Sequence, residues 1–321
     1  MTSSTGTAAP ELPWGLQTRA LRNTDAPAVH EVVRAAEEHD LGEAMIEVED
    51  IIGDWQRPSF HLELDSLGVF DADGLVGFAE VSHGNRAEAD VHPDHRGRGI
   101  GTVLVRWCEQ RAHKVGAHRI GQTVPARNEG AQALLRGRGY EQLWTSWVLT
   151  LGPDDQISGD PTPPAGVTVR PYEPGEGRAV HRVIEDAFNE WPNREPTSYE
   201  DWAATVLGRP GFAPWHLLVA EEDDMVVGAC FLGVGGDSVW VDQLAVRHDQ
   251  RGRGLARVLL VEAFGSGRAH GARTAELSTD SRTGALGLYE HVGMRVTETF
   301  VHLALPLRPS APVRSIDGRT G

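Results

Sequence analysis

Apolar positions along this chain follow two periods. One recurs every second residue and the other every three to four, the spacings of half-buried strands and of helix faces. The first strand pattern is short, near Gln17–Arg19, and a helical pattern follows around Ala26–Glu38. The acidic stretch Glu43–Trp55 reads as a second helix. Leu67–Phe70 and Leu75–Val81 flank Asp71-Ala72-Asp73-Gly74, which has the composition of a hairpin turn. Ala87–His92 is a further strand that runs directly into a glycine-rich turn, and Val103–His113 is a helix. The same succession then returns. It has a helix over Val180–Asn189, a hairpin of His216–Ala220 and Met225–Gly233 across Glu221–Asp224, and a strand at Val239–Val246. A second glycine-rich turn and a helix to about Gly267 follow. Thr274–Ser278 reads as a strand and Thr283–His291 as a helix. Alternating helices and strands predict an α/β chain with a central mixed sheet in each half.

The return is an internal duplication. Arg96-Gly97-Arg98-Gly99-Ile100-Gly101 recurs 155 residues on as Arg251-Gly252-Arg253-Gly254-Leu255-Ala256. Gly15-Leu16-Gln17-Thr18-Arg19 matches Gly166-Val167-Thr168-Val169-Arg170, and Ala28-Val29-His30 matches Ala179-Val180-His181, both 151 residues on. The segment from Gly152 to Ala165 is rich in Pro, Gly and Asp and has no period, so it reads as a linker. The expected organisation is a first domain over 1–152, a linker over 153–165, a second domain over 166–308 and a flexible tail over 309–321. The first dozen residues read as frayed.

Composition narrows the function. The formal net charge is -16, which repels phosphate backbones and disfavours nucleic acid as a partner. It would attract cationic partners such as amines. The chain has 2 cysteines, Cys108 and Cys230, far apart and without metal-type spacing. They point to a reducing, cytoplasmic setting rather than a disulfide framework. No apolar run of about eighteen residues is present, and the N-terminus lacks a basic and an apolar region, so neither a membrane span nor secretion is expected. His92 and His95 lie three apart, but no Cys, Asp or Glu cluster completes a zinc set, and no metal is predicted.

The two glycine-rich turns carry the candidate chemistry. A strand, then Arg-Gly-Arg-Gly-x-small, then a helix is an anion-binding device. Unpaired amides and the dipole at a helix start favour negative charge, and glycines let a phosphate approach. Arg96, Arg98, Arg251 and Arg253 add positive charge. The expected ligand is a pyrophosphate. The dinucleotide spacing Gly-x-Gly-x-x-Gly fails, because Thr102 and Arg257 fill its last position, and the phosphate-loop spacing is absent.

Val91-His92-Pro93-Asp94-His95-Arg96-Gly97-Arg98-Gly99-Ile100-Gly101 resembles the acetyl-CoA-binding signature of the GNAT N-acetyltransferase superfamily, Gln/Arg-x-x-Gly-x-Gly/Ala. Arg96, Gly99 and Gly101 fill it in the first copy, and Arg251, Gly254 and Ala256 in the second. The stretch Thr283 to Met294 is similar to the family's helix that bears a catalytic tyrosine. The tandem layout is similar to that of actinobacterial double-domain members. The resemblance implies two tandem GNAT-like domains, each with a central mixed, mostly antiparallel sheet flanked by helices, and acetyl-CoA as donor. It also implies that the strand before each turn splays from its neighbour and bonds the pantetheine arm. By position those residues are Ala89, Asp90 and Val91 in the first copy and Leu244, Ala245 and Val246 in the second. The cradles then comprise Arg96, Gly97, Arg98, Gly99, Ile100, Gly101 and Thr102, and Arg251, Gly252, Arg253, Gly254, Leu255 and Ala256. Asn128 fills the family's asparagine position in the first copy, whereas the second has Ser281.

Acyl transfer to an amine needs a base for the amine and benefits from a proton on the departing thiolate. Tyr289 sits where the family's acid sits, and Leu135 takes the aligned place in the first copy, so the resemblance puts the chemistry in the second copy. Asp242, on one strand face with Trp240, is the candidate base, beside the alternatives of a plain strand-edge carboxylate or a water-mediated mechanism. The aligned residue in the first copy is Ala87, with Glu88 one place on and hence on the other face. Phe188, Trp191, Tyr199, Trp202, Phe212 and Trp215 could line an acceptor pocket or simply pack the core. Glu37, Glu38, Asp40, Glu43, Glu47, Glu49, Asp50 and Asp54 could draw in a cation or be solvated. The leading expectation is N-acetylation of a small-molecule amine. A protein lysine or N-terminal acceptor and a non-catalytic acyl-CoA-binding protein are the alternatives. A monomer or homodimer is expected.

Overall fold

The computed structural model describes residues 15–44, 46–155, 162–190 and 196–307. The first fourteen residues, the middle of the linker (156–161), Trp191 and the expected tail lie outside them. In chain order the first repeat comprises β1 (Gln17–Arg19), α1 (Ala26–Asp40), α2 (Val48–Trp55), α3 (Leu62–Asp65), β2 (Ser66–Phe70), β3 (Leu75–Ser82) and β4 (Arg86–Val91). It continues with α4 (Ile100–Lys114), β5 (Arg119–Pro125), α5 (Glu129–Gly137) and β6 (Glu141–Leu151). The second repeat follows the same plan with β7 (Val167–Pro171), α6 (Gly177–Phe188), α7 (Tyr199–Thr205), β8 (Leu217–Glu222), β9 (Met225–Gly235) and β10 (Ser238–Val246). It ends with α8 (Leu255–Ala269), β11 (Thr274–Asp280), α9 (Leu286–Val292) and β12 (Arg295–Pro306).

Two elements start later than their patterns predict. The second helix begins at Val48, where the side chains of Glu47 and Asp50 cap each other's backbone N–H groups. The last helix begins at Leu286, because Thr283 and Asp280 close a turn first.

The described strands form a single sheet in the order β1-β2-β3-β4-β5-β12-β6-β11-β10-β9-β8-β7. The pairings are antiparallel except β4 with β5 and β10 with β11. Each repeat thus has the mixed, mostly antiparallel sheet expected, but the two are fused through exchanged strands. β12 of the second repeat pairs with β5 of the first from Phe300↔Pro125 to Pro306↔Arg119. β6 of the first repeat pairs with β11 of the second from Ala275↔Leu151 to Asp280↔Ser146. The exchanged strands also pair with each other. The repeats therefore meet without an open edge at the seam, which removes an edge-pairing hazard.

The helices sort onto the two faces. Leu104, Val105, Cys108 and Ala112 of α4 pack over the first repeat, with Leu135 of α5 and Val301 and Leu303 of β12. Leu259, Leu260, Ala263 and Phe264 of α8 pack over the second, with Leu149 and Leu151 of β6. Each core therefore uses a strand from the other repeat. Helices α1 and α2, and α6 and α7, cover the opposite face. There α2 and α7 pack together across the seam.

Candidate active site

Each glycine-rich turn joins the fourth strand of its repeat to the next long helix. Gly97 and Gly99 adopt φ of 74° and 85°, and Gly252 and Gly254 adopt 76° and 84°. Helix α4 starts from Gly99 and α8 from Gly254. An L side chain in this left-handed region costs about 1–2 kcal/mol, which explains glycine at these places. Nothing lies within 4 Å of where a Cβ would stand at Gly97, Gly252 or Gly254, and Gly99 lines a cavity, so the space over both helix starts is open. That geometry suits an anion.

The arginines are held alike. Nε of Arg96 donates to the Val91 carbonyl at 3.2 Å, and Nε of Arg251 to the Val246 carbonyl at 3.2 Å. Arg96 also makes a bidentate pair with Asp40 at the end of α1, at 2.6 and 3.0 Å. Asn128 Nδ2 donates to the same carboxylate at 2.7 Å, while Asn128 Oδ1 caps α5. Arg251 meets Glu190 at 2.6 Å in a more exposed pair. Arg253 forks onto Glu222 at 2.8 and 2.9 Å. Ser281 does not take the role of Asn128. It faces the Thr145 backbone of β6, and Ala285 precedes α9.

The strands part beside both turns. β4 pairs with β5 at Arg86↔Gly121 alone. β10 pairs with β11 from Ser238↔Thr274 to Val241↔Leu277 and then diverges. Ala89, Asp90 and Val91, and likewise Leu244, Ala245 and Val246, border these gaps. In the first repeat the gap opens into a cavity of about 690 Å³, lined by Arg96, Gly97 and the start of α4 from Gly99 to Thr102, by Asp40, Asn128 and Leu135, and by Glu88 and Asp90. Burial pushes the Asp90 carboxyl up to about 7. In the second repeat the place of Asp90 is held by Ala245, packed under α6.

Asp242 exists because β10 carries a bulge. Val241 pairs with Leu232 and Gln243 with the adjacent Phe231, so Asp242 is the extra residue. It lies with Arg209 and Trp240 beside Gly233, on the face covered by α6 and α7. Gln243 shares that face and accepts from Trp202 Nε1 at 2.9 Å. The side chain of Asp242 keeps 35% of its surface accessible, although protein surrounds its carboxyl group. Desolvation pushes its carboxyl up to about 7. Arg209 opposes this, and Asp50 and Asp54 of the first repeat add to it.

The bulge also corrects the face assignment in the first repeat. β4 has an unbroken register with β3, and Ala87 is buried toward α4. Glu88 therefore faces α2, as Asp242 faces α7, so both repeats carry a fourth-strand carboxylate on the same sheet face. Strand alternation alone missed this, since one inserted residue reverses parity. Opposite Glu88 stands Glu80, which accepts from Trp55 Nε1 at 2.7 Å. Burial first, and then the neighbouring Glu88 charge, push Glu80 up to about 8.

Arg209 was also missed by motif reasoning, although the repeated dipeptides Arg57-Pro58 and Arg209-Pro210 were a signal for it. Tyr289, like Leu244 and Ala256, packs against the cluster that includes Cys230. Burial pushes its phenol up to about 12, so it holds its proton at neutral pH. Of the aromatic residues, Trp202 is core, and Phe188, Tyr199 and Phe212 pack against the same cluster. Trp215 stacks on His270 at 3.9 Å. His95 pairs with Asp71 at 3.1 Å.

A family profile described as the acetyltransferase (GNAT) family matches residues 27–140 and 178–294, one match per repeat. A mycothiol acetyltransferase of Sanguibacter keddieii is 29% identical over 316 residues, covering 91% of this chain and 96% of its own. The crystal structure of a GCN5-related N-acetyltransferase from Sphaerobacter thermophilus is 31% identical, with a TM-score of 0.73, over 94% of this chain and 98% of that one. A tandem GNAT protein from the clavulanic acid biosynthesis pathway shares the fold. Its TM-score is 0.71 at 20% identity, over 92% and 100% of the two chains. The open cradles and parted strands fit an acyl-CoA, the donor type of this family. The chain therefore belongs to the GNAT acetyltransferase family, as an acyltransferase with a tandem layout like that of mycothiol synthase.

Proposed function

We propose that the chain transfers the acetyl group of acetyl-CoA to the amine of a small molecule, with the chemistry in the second repeat. Asp242 takes a proton from the acceptor ammonium. The freed nitrogen attacks the thioester carbonyl, the C–S bond breaks as Tyr289 gives its proton to the departing sulfur, and the second proton shed by nitrogen restores the phenol. The observation that carries this reading is the bulge. It sets a carboxylate with raised proton affinity on the strand that leads into an open anion cradle. A base with an affinity near neutrality can both accept and release a proton at working pH. The relatives named mycothiol acetyltransferases make a mycothiol-type amine the first acceptor to try. The first repeat keeps a cradle and a cavity but has Leu135 in the tyrosine's place. This supports donor binding there without proton delivery to sulfur.

The test is CoA release from acetyl-CoA with a panel of small amines. Turnover is expected with at least one of them. Tyr289→Phe should lower kcat by about 10²-fold or more without changing the melting temperature. Unchanged turnover in that variant would reject the tyrosine's role. Tight acetyl-CoA binding with no transfer to any amine or protein would reject catalysis altogether.

A further inference from the structure

The acidic helix α2 belongs to the first repeat by sequence, yet it reaches into the second. Asp50 Oδ1 lies 2.6 Å from Arg209 Nη1, and the same Nη1 lies 4.0 Å from Asp242 Oδ2. The Arg209 side chain is only 11% exposed, so this pair is far less screened by water than a surface ion pair. Asp201, which holds in α7 the place of Asp50 in α2, reaches the other way. Its Oδ1 accepts from the Ser59 amide of the first repeat at 3.0 Å. The repeats thus trade acidic contacts above the sheet as they trade strands within it. We propose that Asp50 and Arg209 form a bridge between the repeats that positions Asp242 and governs its proton, so that the first repeat completes the acceptor site of the second.

The inference rests on the reading of Asp242 as base, but its physical core is a coupling that can be measured without any acceptor. The charged groups around Asp242 are Arg209 from the segment after α7 and Asp50 and Asp54 from α2, with Cys230 on β9 behind it. Glu47 closes over Gly235 at the end of β9, and Glu276 on β11 is held by Thr150 and Ser238. Arg209 is the cation of this set and is shared between two carboxylates. Removing one claimant releases it to the other.

The experiment is a ¹³C-carboxyl NMR titration of the full-length unliganded protein, with Asp242→Asn to assign the signal. Arg209→Gln should move the Asp242 midpoint up by about 1 pH unit. Asp50→Asn should move it down, because it removes a negative neighbour and frees Arg209. Arg209→Lys and Asp50→Glu keep the charges and should stay near the wild-type midpoint. They also serve should either neutral variant fail to fold. A purely structural bridge would lower stability without opposite shifts, so midpoints that stay put, or move the same way in both neutral variants, overturn the proposal. The acid limb of kcat/KM should move with the NMR midpoint. If the midpoint shifts and the limb does not, the coupling stands and the reading of Asp242 as base falls. If the limb disappears in Asp242→Asn but neither variant shifts the midpoint, the base stands and the coupling falls.

Discussion

Gly99 and Gly254 offer a paired perturbation that asks each repeat the same question. They start their helices with nearly identical backbones, φ 85° and ψ -2° for Gly99 and φ 84° and ψ 3° for Gly254. Alanine at Gly254 meets no neighbour within 4 Å, and Gly99 borders a cavity, so the conformational cost dominates at both. That cost is about 1–2 kcal/mol for an L residue in the left-handed region. Gly99→Ala and Gly254→Ala should therefore lose similar stability, a few degrees in melting temperature. The chain can also escape the strain by shifting the turn, which spoils the alignment of the first helical amides. Either route weakens the cradle, and a loss of about 1.4 kcal/mol is tenfold in affinity. Calorimetric titration with acetyl-CoA, thermal unfolding and turnover together give the readout. Gly254→Ala should raise the KM for acetyl-CoA about tenfold or more, whereas Gly99→Ala should melt equally early and keep its turnover. The reverse pattern, with turnover lost only in Gly99→Ala, would refute the placement of chemistry in the second repeat.

Asp242 also links function to stability. In an unfolded chain it titrates near 3.9, and in the folded protein near 7, so the native state binds its proton more tightly. The stability from this group is full below about pH 4 and is lost as pH rises through 7. Asp242→Asn should therefore melt higher than wild type at pH 8 and not at pH 4, while turnover falls; a lower melting point at pH 8 would contradict the raised affinity. The strand exchange predicts that residues 1–155 and 162–321 fail to give soluble monomers when made separately, and that co-expression restores a one-to-one complex. Two independently stable monomeric halves would contradict it.

Much of this molecule is written locally. The duplicated Arg-Gly-Arg-Gly turns had to be glycine-rich because their backbones enter the left-handed region, and the strand before and the helix after each are set by apolar periods of two and of three to four. Those are short-range properties, and the turns, the helices α1, α4, α6 and α8 and the hairpins fall where the patterns put them. The matching placement of Arg96 and Arg251 beside these turns is legible for the same reason. What the pattern cannot hold is partnership between distant segments. The alternation in Glu141–Leu151 and Arg295–Pro306 is that of a strand, but nothing in either says that each lies beside the other repeat's fifth strand. The bulge at Asp242 is likewise invisible to alternation, because it depends on which β9 residues accept pairing. Asp50 read as one carboxylate on a solvated face becomes a partner of Arg209 only when α2 docks on α7. Sequence alone thus determined the repeat, the cradles and the family likeness. The tertiary structure alone decided that the repeats share strands, cores and the Asp50–Arg209 pair, since those rest on contacts between residues more than a hundred positions apart.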